Sequence, residues 1–516
     1  MDRQKFSYRK QYVLGSKYID GFMSWQRIEI GDGYYLTAHP ELEVTKVALD
    51  GSYMFLLGYI LDPNNTRDTN SQVIQKVIAK VKAPDDVFGQ LAEKCGRYVL
   101  IVKTDKELRI FSDAAGMRQI FYYTDAADKF WCASQPHILA EQFKLSVDET
   151  IRSDFNNTLL FASESNYWYP GSCTLFKEIH HLMPNHYLDL KNNVQNRYWP
   201  SAKLSSMTTD ECAEKSSALL SGIIESACFR FNNLALAISS GLDSRLLLAA
   251  SKKHADKIKY FTHIHHEASN NDMDLSIPSM LCKKLHLHHR YINQVEAIDG
   301  EFENAFKENV FTARRSTMSD AYAIYEHFGV EKEDLTVIYG NCAEITKRDR
   351  SRYPKLPNFL ITGKSVTEMA LLSHSSTALH EFETWLSTVK YLATKYKFDV
   401  LDLLHWEHRV GSWASMSFQE YEMAFEVICP YSCRQYIEYL LSVPFKYRTK
   451  PDYIMQHKIA QTLWPQTLDL PINPVNSRFK KAIGDLLYKT DMYDALKYVF
   501  MMYHRRYKVP LKKAGY

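Results

Sequence analysis

Long apolar runs are missing from this chain. The longest stretches, such as Tyr53–Leu61, are strand-sized, far short of the ~20 residues that cross a bilayer. The start, Met1-Asp2-Arg3-Gln4-Lys5, is polar and leads into no apolar signal core. An excess of one charge is missing too. Against 60 acidic residues stand 63 basic ones, net +3, so no strong field would gather nucleic acid or an anionic membrane. Glycine is scarce, 19 residues in 516, about half the usual ~7% share. That excludes collagenous, low-complexity and disordered classes. Nine cysteines lie scattered from Cys95 to Cys433, an odd number with no framework spacing. Cys429-x-x-x-Cys433 is the only close pair, and no second pair stands at metal spacing. Reduced thiols in a cytoplasm fit this usage better than disulfides.

What is present reads as an ordinary globular protein: 46% apolar, 24% charged. At about 100–200 residues per domain, the length suggests two or three domains. The first ~195 residues read as β-rich, with short alternating runs at Tyr34–Leu36, Met54–Ile60, Arg97–Val102, Arg109–Phe111, Ile120–Tyr123 and Tyr187–Leu190. Amphipathic periodicity predicts helices over Asn70–Lys80 and around Asp85–Lys94. The short polar stretch Pro200–Ser206 marks a boundary, which divides the chain into 1–200, 205–490 and a basic tail, 491–516. After it Thr208-x-x-Glu211 forms a capping-box pattern, so a helix should run to Arg230. The strand Leu234–Ile238, the helix-like Arg245–Lys253 and the strand Ile258–Ile264 then make a βαβ unit and imply a parallel sheet. Beyond about residue 300 the pattern is mostly helical, as in Phe382–Tyr396 and Val400–Phe418.

The chemistry concentrates in the turn Ser239-Ser240-Gly241-Leu242-Asp243-Ser244. It follows a buried strand and opens a helix, the place where α/β sheets bind ligands. Small residues let the backbone approach an anion, and a helix N-terminus offers free N–H groups to phosphate. Ser239 and Ser244 can donate to phosphate oxygens. Asp243 beside a polyphosphate calls for a cation between them, and Mg²⁺ is the natural one. The pattern is not a Walker loop, because no Gly-Lys-Ser/Thr follows. The bland alternative is a small-residue turn with Asp243 as its cap.

This turn resembles the Ser-Gly-Gly-x-Asp-Ser loop of ATP pyrophosphatases, with Ser240 replacing one glycine. Over most of its length the chain is similar to the asparagine synthetase family. Gly96-Arg97-Tyr98-Val99-Leu100, the stretch from Asp113 through Gly116 and Arg118 to Tyr122, Ala133-Ser134-Gln135-Pro136 and the run Leu182–Leu188 resemble that family's glutaminase domain. Gly340-Asn341-Cys342-Ala343-Glu344 resembles its Gly-Asp-Gly-Ala-Asp-Glu loop, and Glu426–Tyr431 its Glu-x-Arg-x-Pro-Phe stretch. The resemblance implies an α/β protein. An N-terminal-nucleophile-hydrolase-like α+β sandwich would precede a parallel-sheet, adenine-nucleotide α-hydrolase-like domain with many helices. It also implies ATP and Mg²⁺, with Ser239, Ser240, Gly241, Leu242, Asp243, Ser244 and Gly340 around the nucleotide and Asp243 and Glu344 on the metal.

Departures from the family sharpen the expectation. The family's hydrolytic cysteine follows the initiator Met and supplies both thiolate and α-amine. Here position 2 is Asp2 and the first cysteine is Cys95, whose expected role is a core thiol. Glutamine hydrolysis should therefore be lost while the fold is kept. Relatives without that cysteine close β-lactam rings or cyclise lasso peptides. In the acidic loop Asn341 replaces a carboxylate and cannot take a proton. Glu426, before an apolar stretch, could act as acid/base if burial raises its pKa, or could form a buried ion pair. The family's late transition-state lysine has Lys450, Lys480 and Lys481 as candidates, with Lys480 and Lys481 preferred and a surface lysine the default for each. The clusters His263-Ile-His265-His266 and His286-Leu-His288-His289 suggest pocket lining or surface more than zinc, and Asp272 and Asp274 helix capping.

The resulting expectation is a ligase that activates a small-molecule or peptide carboxylate as its acyl-adenylate and passes it to an amine, with neither nucleic acid nor membrane as partner. Asparagine formation from aspartate, with ammonia or glutamine, and a non-catalytic nucleotide-binding scaffold are the alternatives. A tRNA-modifying pyrophosphatase is disfavoured by the near-neutral charge.

Overall fold

The computed structural model describes residues 6–162, 167–264, 273–329, 334–473, 485–489 and 492–507. The early strands are β1 (Tyr12–Gly15), β2 (Gln26–Gly31), β3 (Tyr34–Ala38), β4 (Val44–Leu49), β5 (Ser52–Leu61), β6 (Cys95–Lys103), β7 (Leu108–Ser112), β8 (Phe121–Thr124), β9 (Phe130–Ala133), β10 (His180–His181), β11 (His186–Asp189) and β12 (Val194–Arg197). They form two antiparallel sheets, ordered β10-β8-β9-β1-β3-β2 and β12-β11-β7-β6-β5-β4.

Successive side chains point to opposite faces, and in the central strands β5 and β6 both sets are largely apolar, so these two strands are buried on both faces. Phe55 and Leu57 of β5, with Val99 and Ile101 of β6, face Tyr12, Leu14 and Leu36 of the other sheet. Met54, Leu56 and Leu100 point the opposite way, onto Val73, Ile74 and Val77 of the helix Asn70–Ile78. Beyond the first sheet, Val13, Trp131 and Ala133 meet Ile138 and Leu139 of the helix Pro136–Phe143. The result is a four-layered sandwich, helix on sheet on sheet on helix.

The capping box is formed as expected. Thr208 Oγ accepts from the Glu211 N–H, Glu211 returns the bond to the Thr208 N–H, and the helix spans Thr209–Arg230. Such a cap stabilises by about 1 kcal/mol. Five parallel strands follow: β13 (Asn233–Ala237), β14 (Ile258–Ile264), β15 (His289–Asn293), β16 (Leu335–Ile338) and β17 (Glu426–Ile428), ordered β15-β14-β13-β16-β17. The first strand of the βαβ unit is thus the central one, flanked by β14 and β16. The expected helix at Val400–Phe418 is continuous to Tyr421, but its middle, His405–Ala414, is wound as a π-helix. Among the described residues no helix is long and apolar enough to cross a membrane.

The two halves meet through a buried charge cluster. Arg97 of β6 contacts Glu422 (2.6 Å) and Glu426 of β17 (3.3 Å). Arg118 reaches Glu422 at 2.5 Å, and Lys10 reaches Glu426 at 2.5 Å. The Tyr59 hydroxyl, also from the first half, donates to the Val427 carbonyl.

Candidate active site

The chain leaves β13 through Ile238 and turns into the helix Leu242–Ala250, with Gly241 in an extended conformation at its N-cap. No side chain caps this helix, so its positive end faces outward. The turn is held by its own serines. Ser244 Oγ accepts from the Ser239 N–H (3.0 Å) and lies 3.1 Å from Ser239 Oγ. Ser239 Oγ in turn accepts from the Gly241 N–H at 3.1 Å. Both hydroxyls therefore sit in a fixed position at the mouth of the helix. Ser240 is buried and its hydroxyl donates to Asn473 Oδ1 at 3.4 Å. Leu242 is buried in the core, so only its backbone is placed to meet a ligand.

A cleft of about 1060 Å³ opens beside this turn. Ser239, Asp243, Ser244, Gly340 and Glu344 line it, joined by Asn341, Lys347, Lys450, Tyr453 and Asn473. The two carboxylates assigned to metal thus reach one cavity from distant segments. Gly340 makes the approach possible. A Cβ there would stand 3.2 Å from the Asp243 Cβ and 3.5 Å from the Ser244 nitrogen, so the acidic loop or the helix start would have to give by a few tenths of an ångström. The Tyr431 hydroxyl donates to the Asp243 carbonyl at 2.7 Å, and the Cys429 thiol to the Asn341 carbonyl at 2.8 Å. The stretch after Glu426 therefore braces both loops. Cys342 sits at φ +69 where the family loop has glycine, with its buried thiol against Met117 Sδ.

The electrostatics concern the carboxylate pair. Burial, and then the like charge of Asp243, push the Glu344 carboxyl above its usual range. Two acidic groups sharing one wall suit a divalent cation whose other ligands are phosphate oxygens and water. The donor set therefore fits Mg²⁺ in company with a polyphosphate. Among the described residues no group of three or more His, Cys, Asp or Glu could hold a metal without such help.

Lys347, one helical turn after Glu344, was not singled out by any sequence motif. Its ammonium lies 2.5 Å from Asp243 Oδ2. Burial works against its charge, but Asp243, Tyr453 and Glu344 hold it protonated above the ordinary lysine value. The spacing Glu344-x-x-Lys347 on a short helix was the available signal.

Glu426 requires a correction. It does not line this cleft, and its pKa moves opposite to the acid/base expectation. Burial alone would raise it, but Lys10, Arg97 and Arg118 hold the carboxyl far below the usual range. The ion-pair alternative describes its surroundings. Lys480 and Lys481 lie outside the described residues, as do Asp2, His265, His266 and Asp272; Lys450 is the candidate lysine found on the cleft. His263 also lines it, with Nδ1 3.3 Å from Asp320 Oδ1. His289 faces Thr262 Oγ1 at 2.8 Å, and burial lowers its pKa to about 4.

Cys95 is buried on β6, its thiol pushed well up by burial and directed to the Cys429 carbonyl at 3.4 Å. At the head of β1 stands Gln11, whose side-chain amide donates to the Asn309 carbonyl.

No protein-family model matches the sequence, and no curated protein matches it significantly. Solved structures give loose alignments. One is described as the allosteric regulatory enzyme of purine biosynthesis, with 9% identity over 60% of this chain and 76% of that one, TM-score 0.24. Glutamine phosphoribosylpyrophosphate amidotransferase from B. subtilis, complexed with ADP and GMP, aligns at 9% identity over 68% and 73%, TM-score 0.20. Glutamine-dependent NAD⁺ synthetase from Acinetobacter baumannii, in complex with ADP, aligns at 12% over 57% and 76%, TM-score 0.21. Alignments this loose carry no reading of the site, which rests on its own geometry.

Proposed function

We propose that the chain is an ATP-dependent carbon–nitrogen ligase that activates a carboxylate as an acyl-adenylate. The observation that carries this reading is the meeting of Asp243 and Glu344 on one cleft at the mouth of the helix Leu242–Ala250. In the proposed reaction a carboxylate oxygen of the acid bonds to the α-phosphorus of ATP, and the bond from that phosphorus to the bridging oxygen breaks. The Ser239–Ser244 turn and the helix N-terminus hold the departing pyrophosphate. An amine then bonds to the acyl carbon, AMP leaves, and the amine's proton passes to solvent or to a base.

Asp243 and Glu344 would hold Mg²⁺, which when bound supplies charge neutralisation on the phosphates. Lys450, which lines the same cleft, would stabilise negative charge in the phosphoryl-transfer step. Asn341 orients substrate without moving a proton. Glu426 takes no part, because its charge is committed to Lys10 and Arg97.

Acid-dependent exchange of labelled pyrophosphate into ATP tests the reading. Incubation with ATP, Mg²⁺ and panels of amino acids, peptides and sugar acids should reveal exchange with at least one acid, abolished by Asp243→Ala. ATP binding without exchange for any acid would replace the ligase with a nucleotide-binding scaffold. Aspartate as the sole active acid, with ammonium the acceptor, would make it an asparagine-forming enzyme.

A further inference from the structure

The cation nearest the acidic pair belongs to the protein itself. The Lys347 ammonium sits 2.5 Å from Asp243 Oδ2, in the cleft that Glu344 also lines. The ammonium also lies 5.8 Å from the Tyr453 ring centroid, and Lys450 and Asp349 line the same cleft. A lysine ammonium is a compact point charge on a flexible four-carbon stem. It can hold one carboxylate oxygen and still swing to a phosphate oxygen within the same cleft. A divalent ion approaching Asp243 must displace this ammonium, and like charges cannot share one carboxylate oxygen at that distance without strong repulsion.

We propose that Lys347 is an internal competitor for the metal position: it occupies Asp243 in the nucleotide-free protein and yields when a triphosphate enters, so that divalent metal binds tightly only together with nucleotide. The inference rests on the reading of Asp243 and Glu344 as the metal pair. It adds a coupling residue that sets when the metal binds. Neutral protein groups at position 347 would leave the two carboxylates as an open divalent site. In the native chain the arriving phosphates supply the alternative partner that releases the lysine, which makes nucleotide and metal mutually dependent, as linkage requires.

Mn²⁺ titration followed by electron paramagnetic resonance tests this with the full chain. The nucleotide probe is adenosine 5′-(α,β-methylene)triphosphate, which cannot be cleaved at the α–β position. For the native protein, the analogue should tighten Mn²⁺ binding at least tenfold beyond the affinity of the free analogue for Mn²⁺. Lys347→Met should bind Mn²⁺ at least tenfold tighter than the native protein without nucleotide, and Lys347→Arg should behave like the native chain. Adding Asp243→Asn to Lys347→Met should remove the gain. Equal or weaker Mn²⁺ binding by nucleotide-free Lys347→Met overturns the proposal. Should that variant not fold, tight Mn²⁺ binding by the nucleotide-free native protein overturns it alone. Failure of pyrophosphate exchange beside the expected Mn²⁺ behaviour would sink the ligase reading and leave the role of Lys347 standing.

Discussion

Replacing Glu426 by Gln separates a structural charge from a chemical one. The carboxylate is buried between Lys10 at 2.5 Å and Arg97 at 3.3 Å, with Arg118 a third positive neighbour. Removing one member of a buried ion pair costs about 3–5 kcal/mol, because the partner charges are left uncompensated. Glutamine keeps the volume and one acceptor, so the lower end, about 3 kcal/mol, applies. At roughly 2–4 °C per kcal/mol for a domain of 150–250 residues, the melting temperature should fall by about 6–12 °C. The pH dependence has a definite sign. The folded pKa is depressed, so the charge contributes fully above the ordinary value of 4.5 and loses its contribution as pH falls toward the folded value. Thermal melts at pH 7 and 5.5 should show the same gap between native and variant, and the gap should narrow only below about pH 4.5. The variant should keep ATP binding at temperatures where it is folded. A variant that melts with the native protein, or one that loses pyrophosphate exchange at unchanged stability, would refute the reasoning and return Glu426 to the chemistry.

Ser244→Ala removes the acceptor of the Ser239 N–H, worth about 1–3 kcal/mol; nucleotide affinity measured by calorimetry should fall by about five- to a hundredfold. Gly340→Val should abolish nucleotide binding, since its Cβ already meets Asp243 at 3.2 Å; retained affinity would show that the loop can move aside. Arg245 is buried, burial lowers its pKa to about 10, and it donates to the carbonyls of Thr467, Leu470 and Pro471. Arg245→Met should therefore loosen the segment carrying Asn473, read as faster exchange of the amides at 467–470, 472 and 473. Purified protein given glutamine should release no glutamate, and its release would show a nucleophile other than an N-terminal cysteine.

The sequence was most legible where local pattern and tertiary burial agree. The alternation of β5 and β6, the Thr208 capping box and the strand β14 all lie at or within a few residues of their expected bounds. β1, β9 and β17 are illegible because three or four residues are too few for any period to show. The helix after the turn begins at Leu242, three residues before the expected start, because Asp243 and Ser244 look like turn residues. At the site, Asp243 and Glu344 were readable as motif positions. Lys347 was not, since its meaning comes from a contact across more than a hundred residues. For Glu426 the apolar residues beside it in sequence forecast burial but left acid/base and ion pair open, since Lys10, Arg97 and Arg118 come from the far end of the chain.

The Arg97–Glu422–Arg118 junction ties the fate of the two halves together. A fragment beginning after residue 200 would strip Glu422 and Glu426 of Lys10, Arg97 and Arg118 and would bare the edge strand β17, against which β6 and Tyr59 now pack. Deleting the leading sandwich should accordingly yield insoluble material rather than a smaller working ligase. Such dependence makes the leading sandwich a structural support for the half that carries the cleft, whatever chemistry it does itself.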